Sequence, residues 1–155
     1  CEITVIRKRP ISLPGTVRTI QLEDLNVVLP TTDVLLIALA LTDETENLIG
    51  ASELKLLPKD AVIVNVARGK HIVTEDLVKA LTDSEIAGAA LDVTDPEPLP
   101  AGHPLWNLPN CLITPHTANT PEMGIELLSL RVTENVSRYL QGLDLIGCID
   151  IDSGY

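Results

Sequence analysis

A parallel sheet covered by helices is the fold this sequence predicts, and three observations predict it. Val62-Ile-Val-Asn-Val66 is a short run rich in β-branched residues, set between Pro58-Lys-Asp60 and Gly69. Such a run suits a strand buried on both faces. Comparable runs recur along the chain with helical stretches between them, the alternation that builds α/β sheets. Hydrophobic residues make up 45% of the 155, yet aromatics only 2% and phenylalanine none, so the core must be aliphatic. The length is that of one ordinary domain.

In chain order, Ile3–Ile6 is a first β-type run, broken by Arg7-Lys-Arg-Pro10. A polar stretch comes next, with a turn at Pro14-Gly15. Leu22 to Leu29 is a short helical candidate ended by Pro30, and Val34–Leu39 has the length of a strand. Thr42-Asp-Glu-Thr45 reads as a loop and helix start, and Ser52 is an acceptable N-cap for a helix to Leu57. After the central strand, Thr74 is the expected cap of a helix to Leu81, with Glu75 and Asp76 in its first turn. Strand-type Ile86–Val93 leads into the proline-rich loop Thr94-Asp-Pro-Glu-Pro-Leu-Pro100, and Cys111–Thr114 is a last short strand. Thr120 then caps a long helix, with Pro121 at its first position and an end between Leu140 and Gly142.

A formal charge of −11 argues against nucleic acid or an anionic membrane as partner. Cys1, Cys111 and Cys148 are odd in number and lack metal-type spacing, so they read as reduced thiols of a cytoplasmic protein, with no metal site. Neither a membrane span nor a signal peptide is visible in these residues.

Three polar features come after three successive strands: Arg68, the Asp92–Glu97 segment and His116. Open parallel sheets bind ligands beyond the carboxyl ends of their strands, so a parallel arrangement would make the three converge. A guanidinium suits two-pronged capture of a carboxylate. Histidine exchanges protons near neutral pH, and a carboxylate on its ring N–H would fix the tautomer. Taken singly, each has a plainer reading. Arg68 would be a surface arginine, Glu97 a solvated loop charge, His116 a residue approaching a helix, and Asp92 the cap of a turn. His71 and His103 are read as non-catalytic.

Asn65-Val-Ala-Arg-Gly69, Gly88-Ala-Ala-Leu-Asp-Val-Thr-Asp-Pro-Glu-Pro98 and Thr114-Pro-His-Thr-Ala118 together resemble the D-isomer-specific 2-hydroxyacid dehydrogenases. The resemblance implies a Rossmann-like doubly wound parallel sheet. It also implies hydride transfer between NAD(P) and the C2 of a small 2-hydroxy or 2-keto acid such as glyoxylate or hydroxypyruvate. By motif, Arg68 would bind the substrate carboxylate and polarise its carbonyl, His116 would be the acid, and Glu97 its partner. Asp92 would face the nicotinamide carboxamide, while Ala40, Val66, Ala67, Arg68, His116 and Ala118 would line the cofactor. Many members of the family carry an acid at the end of the second strand, where this chain has Arg7-Lys-Arg9. Arginines there accommodate a 2′-phosphate, so Arg7 and Arg9 favour NADP(H) over NAD(H). Residues 1–140 would form the cofactor domain, incomplete at its N-terminus, and 141–155 a tail returning towards a substrate domain. The resemblance also implies a homodimer for the intact protein.

No stretch matches the family's Gly-x-Gly-x-x-Gly phosphate loop, which would precede the strand that Ile3–Ile6 resembles. The chain therefore reads as starting inside a longer fold, and residues 1–155 alone are expected not to catalyse. On the strand order 3-2-1-4-5-6, the strands at Ile3–Ile6 and Val62–Val66 are expected to lack the neighbour between them. That predicts rearranged pairing, or pairing with another chain, at this edge. A catalytically silent dinucleotide-binding scaffold, of the kind found among transcriptional corepressors with the same motifs, is the alternative from another functional class. A flavodoxin-like regulator is a third, but it would not need all three motifs.

Overall fold

The computed structural model describes residues 1–7 and 17–149. Four strands, β3 (Val34–Ile37), β4 (Val62–Asn65), β5 (Gly88–Leu91) and β6 (Cys111–Ile113), form one parallel sheet in that spatial order. Two more, β1 (Thr4–Ile6) and β2 (Arg18–Ile20), form a separate parallel ladder. Parallel strands joined by helices make the Rossmann-like α/β architecture expected from the sequence.

The strands correct two expectations. The segment before Leu22 contains a strand, β2, that no apolar run announces; of its three residues only Ile20 is buried. And β4 does not stand at an interior edge, because β3 pairs with it on one side and β5 on the other. Among the described strands, β3 and β6 are the edges of this sheet, and Val34 and Leu36 of β3 are 61% and 60% exposed. Pairing is not rearranged, since every ladder is parallel and in regular register.

Helices α1 (Leu25–Val28), α2 (Ala51–Leu54), α3 (Thr74–Thr82) and α4 (Pro121–Leu140) complete the order. α3 shows why such elements form. Leu77, Ala80 and Leu81 recur at helical spacing and are buried, and Glu75 and Asp76 sit at its positive end. With Leu29, Leu54, Ile63 and Ile86 they make the aliphatic core, in which each fully buried Leu or Ile contributes roughly 1.5–3 kcal/mol.

The starts of α2 and α3 differ from the expected caps. α2 begins after Gly50, not at Ser52, because two carboxylates serve its first turn. Glu53 Oε2 accepts from the Gly50 N–H at 3.0 Å, and Asp76 Oδ2 from the Ala51 N–H at 2.9 Å. Thr74 lies inside α3, and its hydroxyl donates to the Asp95 carbonyl at 2.7 Å, tying the helix to the proline-rich loop. Residues Thr42–Thr45 form a turn and start no helix.

α4 starts as predicted, with Thr120 Oγ1 accepting from the Met123 N–H and Pro121 at the first position. None of its residues is buried. The chain beyond it turns back, and Asn135 holds Ile146 at both backbone groups, accepting from its N–H at 2.8 Å and donating to its carbonyl at 3.1 Å. Among the described residues no helix is long and apolar enough to cross a membrane.

Candidate active site

Register places the site. Ile37, Asn65, Leu91 and Ile113 are partners in one row across the sheet, so all four strands end level. The residues just beyond these strand ends, Ala40, Val66–Arg68, Asp92 and His116, therefore lie along one carboxyl edge. Convergence inferred from strand order is realised in this row.

The turn after β4 is built by Asn65. Its side chain is 1% exposed and grips the turn twice: Oδ1 accepts from the Ala67 N–H at 3.0 Å, and Nδ2 donates to the Arg68 carbonyl at 2.9 Å. Val66 is exposed, whereas the Ala67 methyl belongs to the core, so only its backbone is left to line a cofactor. The Arg68 side chain is exposed, and its Nη1 donates to the Ala67 carbonyl at 2.6 Å. Among the described residues no carboxylate pairs with it, which leaves the fork open to an external anion. Gly69 comes next because nothing larger fits: a Cβ there would stand 2.0 Å from the Thr94 carbonyl. This close approach sets the arginine turn against the loop that carries Glu97.

That loop delivers the acid–base pair. Glu97 Oε1 lies 2.6 Å from His116 Nδ1, with the two side chains 41% and 48% exposed. Nδ1 is thus the donor to the carboxylate, and Nε2, without a partner among the described residues, is left to face a ligand. Thr94 steadies the loop, with its N–H 3.4 Å from Glu97 Oε2 and its hydroxyl on the Pro96 carbonyl.

His116 sits at φ +56°, a left-handed conformation that costs a non-glycine residue about 1–3 kcal/mol and needs support. Asp92 supplies it. Its carboxylate accepts from the Thr114 hydroxyl, the Thr117 N–H at 3.0 Å and the Ala118 N–H at 2.8 Å, which brackets the histidine on both sides. Burial pushes the Asp92 carboxyl up, but the Thr114 hydroxyl, the Ala118 and Thr117 amides and nearby His116 together hold it below the ordinary 3.8. The resulting stabilisation is full above pH 3.8 and is lost as pH falls through the lower folded-state value, so the loop loosens only in strong acid. Asp92→Asn would turn an amide donor against a backbone N–H. It is expected to lower Tm by about 5 °C or more and to reduce turnover with it. A thermal melt superimposable on wild type would contradict this role.

Arg7 lies on the β1 side, its N–H bonded to the Ile20 carbonyl at 3.2 Å, and its buried Nε has no partner among the described residues. Arg9 lies outside the described residues. His103 Nδ1 accepts from the Leu105 N–H and caps the short turn Pro104–Asn107. Asn65, quoted in a motif without a role of its own, and His71, read as non-catalytic, are both buried and both bond to backbone of the loops at this edge.

Residues 2–118 match the family described as "D-isomer specific 2-hydroxyacid dehydrogenase, NAD binding domain". A glyoxylate reductase of Aeropyrum pernix is 43% identical over 136 residues, 88% of this chain and 40% of that protein. A human glyoxylate reductase/hydroxypyruvate reductase is 38% identical over 110 residues, 71% of this chain and 34% of that protein. The chain thus spans less than half the length of these curated relatives. Among solved structures, a D-isomer specific 2-hydroxyacid dehydrogenase from Xanthobacter autotrophicus, in complex with NADPH and MES, superposes with a TM-score of 0.89 at 34% identity. That match covers 99% of this chain and 63% of the other. An NADPH-dependent glyoxylate/hydroxypyruvate reductase from Sinorhizobium meliloti, in complex with NADP and sulfate, gives 0.90 at 28% identity, covering 99% and 49%.

Proposed function

This chain belongs to the D-isomer specific 2-hydroxyacid dehydrogenases, and we propose that its protein reduces a small 2-keto acid, glyoxylate or hydroxypyruvate, using a nicotinamide dinucleotide. The observation that carries this reading is the 2.6 Å Glu97–His116 pair on the same sheet edge as Arg68, whose fork has no carboxylate partner among the described residues. Arg68 holds the substrate carboxylate with two parallel N–H bonds and draws electron density from the adjacent carbonyl. His116 Nε2 gives its proton to the carbonyl oxygen as that oxygen becomes an alkoxide. Glu97 keeps Nδ1–H as donor, so the proton at Nε2 is the one available for transfer. When bound, the nicotinamide supplies the hydride.

The residues present fit such a cofactor. Ala40 and Val66 are exposed at the sheet's carboxyl edge, and the buried Nε of Arg7 is a donor without a partner among the described residues. That donor supports NADP(H) over NAD(H), since a 2′-phosphate pairs with guanidinium and a 2′-hydroxyl does not. Its relatives' names support glyoxylate and hydroxypyruvate as substrates. An odd number of cysteines without metal spacing supports a reducing, cytoplasmic setting. The division into a cofactor domain to residue 140 and a tail from 141 is supported by the end of α4 at Leu140.

Steady-state oxidation of NADPH by the intact protein with glyoxylate and with hydroxypyruvate tests the reading, and absence of turnover with both would reject it. Cofactor choice has its own test. Arg7→Ala is expected to raise the KM for NADPH about tenfold more than that for NADH. Equal losses for both cofactors would place Arg7 outside the phosphate site.

A further inference from the structure

Three residues after Arg68, His71 is 0% exposed and has a backbone carbonyl at each ring nitrogen. Nδ1 lies 2.9 Å from the Thr45 oxygen and Nε2 3.2 Å from the Leu39 oxygen. Both carbonyls belong to one loop, the segment leaving β3 at the carboxyl edge. That loop is closed on itself by Thr45, whose hydroxyl donates to the Ala40 carbonyl at 2.8 Å and accepts from the Thr42 N–H at 2.8 Å. Backbone bonds stitch the same loop to the segment bearing Arg68: Asn47 N–H to the Lys70 carbonyl at 2.7 Å, Ile49 N–H to the His71 carbonyl at 2.9 Å. The His71 N–H in turn reaches the Arg68 carbonyl at 3.2 Å.

Burying a polar ring is unfavourable unless its bonds compensate. Here the ring contacts go to the loop that carries Ala40 and not to Glu97 or His116. We propose that His71 is a positioning residue for the cofactor: it holds the Leu39–Thr45 loop, and with it Ala40, level with Arg68. This rests on the dinucleotide reading above. The His71 N–H bond to the Arg68 carbonyl does not use the imidazole, so Arg68 keeps its place when the ring is removed, and the loss falls on the Leu39–Thr45 loop that carries Ala40. An apolar side chain would leave the carbonyl served by the ring N–H without its donor. A glutamine amide supplies N–H donors at similar reach and can serve that carbonyl.

NADPH titration of the intact protein, with kinetics on glyoxylate, decides the matter. His71→Leu is expected to raise the Kd and KM for NADPH about tenfold, with kcat and the KM for glyoxylate within about twofold of wild type. His71→Gln is expected to restore NADPH binding to within about threefold. If wild type binds NADPH and His71→Leu binds it equally, the inference fails while the functional reading stands. If both KM values and kcat deteriorate together, His71 is general core and the inference fails again. Wild type that binds no NADPH overturns the functional reading and this inference with it. Should the leucine variant not fold, His71→Asn replaces it. Its shorter side chain does not fill the place of the ring between the Leu39 and Thr45 carbonyls, so its NADPH KM must rise, and an unchanged value overturns the proposal.

Discussion

Replacing His116 with glutamine is expected to slow keto-acid reduction by about 10²–10⁴-fold while NADPH still binds. The size is set by the geometry. His116 Nδ1 is engaged by Glu97 at 2.6 Å, so Nε2 is the one nitrogen that can meet the substrate oxygen. Glutamine can donate a hydrogen bond there but cannot surrender a proton. The missing interaction arises only as negative charge gathers on the oxygen, so kcat and kcat/KM should fall together. NADPH Kd, measured by titration, should stay within about twofold, because the ring is not the cofactor's main anchor. A variant with wild-type turnover would remove His116 from the acid role.

Arg68→Lys keeps the charge and is still expected to cost about 10²-fold in kcat/KM for glyoxylate. The fork of Arg68 has no carboxylate partner among the described residues, and Asn65 fixes the turn that presents it. An ammonium in its place is a point charge. It can neutralise the substrate carboxylate but cannot hold it with two parallel bonds or keep the carbonyl aligned. The KM for glyoxylate should rise and kcat fall, with the KM for NADPH little changed. Wild-type kinetics in the lysine variant would show that the fork plays no part.

Much of the fold was legible in the residues. Val34, Val62, Ile86 and Cys111 each open an apolar run, and each run became a strand of the main sheet. Thr120-Pro121 and Gly142 bracketed α4 because capping is a local property. β2 escaped because Arg18-Thr-Ile20 has one buried residue and no alternation long enough to see. The neighbour of each strand escaped for a different reason. Val34–Ile37, at an edge of the sheet, is more apolar than Val62–Asn65 inside it, so composition does not say which of them lies inside. In the site, strand-end position and motif brought out Arg68, Glu97 and His116. The work of Asn65, Asp92 and His71 depends on backbone groups of other loops, at sequence distances up to 32 residues, which no local pattern reveals.

Direct transfer between cofactor and substrate carbon is the central claim, and isotope tracing tests it most directly. NADPH deuterated at both hydrogens of its nicotinamide C4 is incubated with glyoxylate and the intact protein, and the product is read by mass spectrometry. Glycolate carrying a single deuterium on C2, formed in step with NADPH oxidation, is the predicted result. Recovery of unchanged glyoxylate beside bound, unoxidised NADPH would contradict it and mark the protein as a silent dinucleotide-binding scaffold.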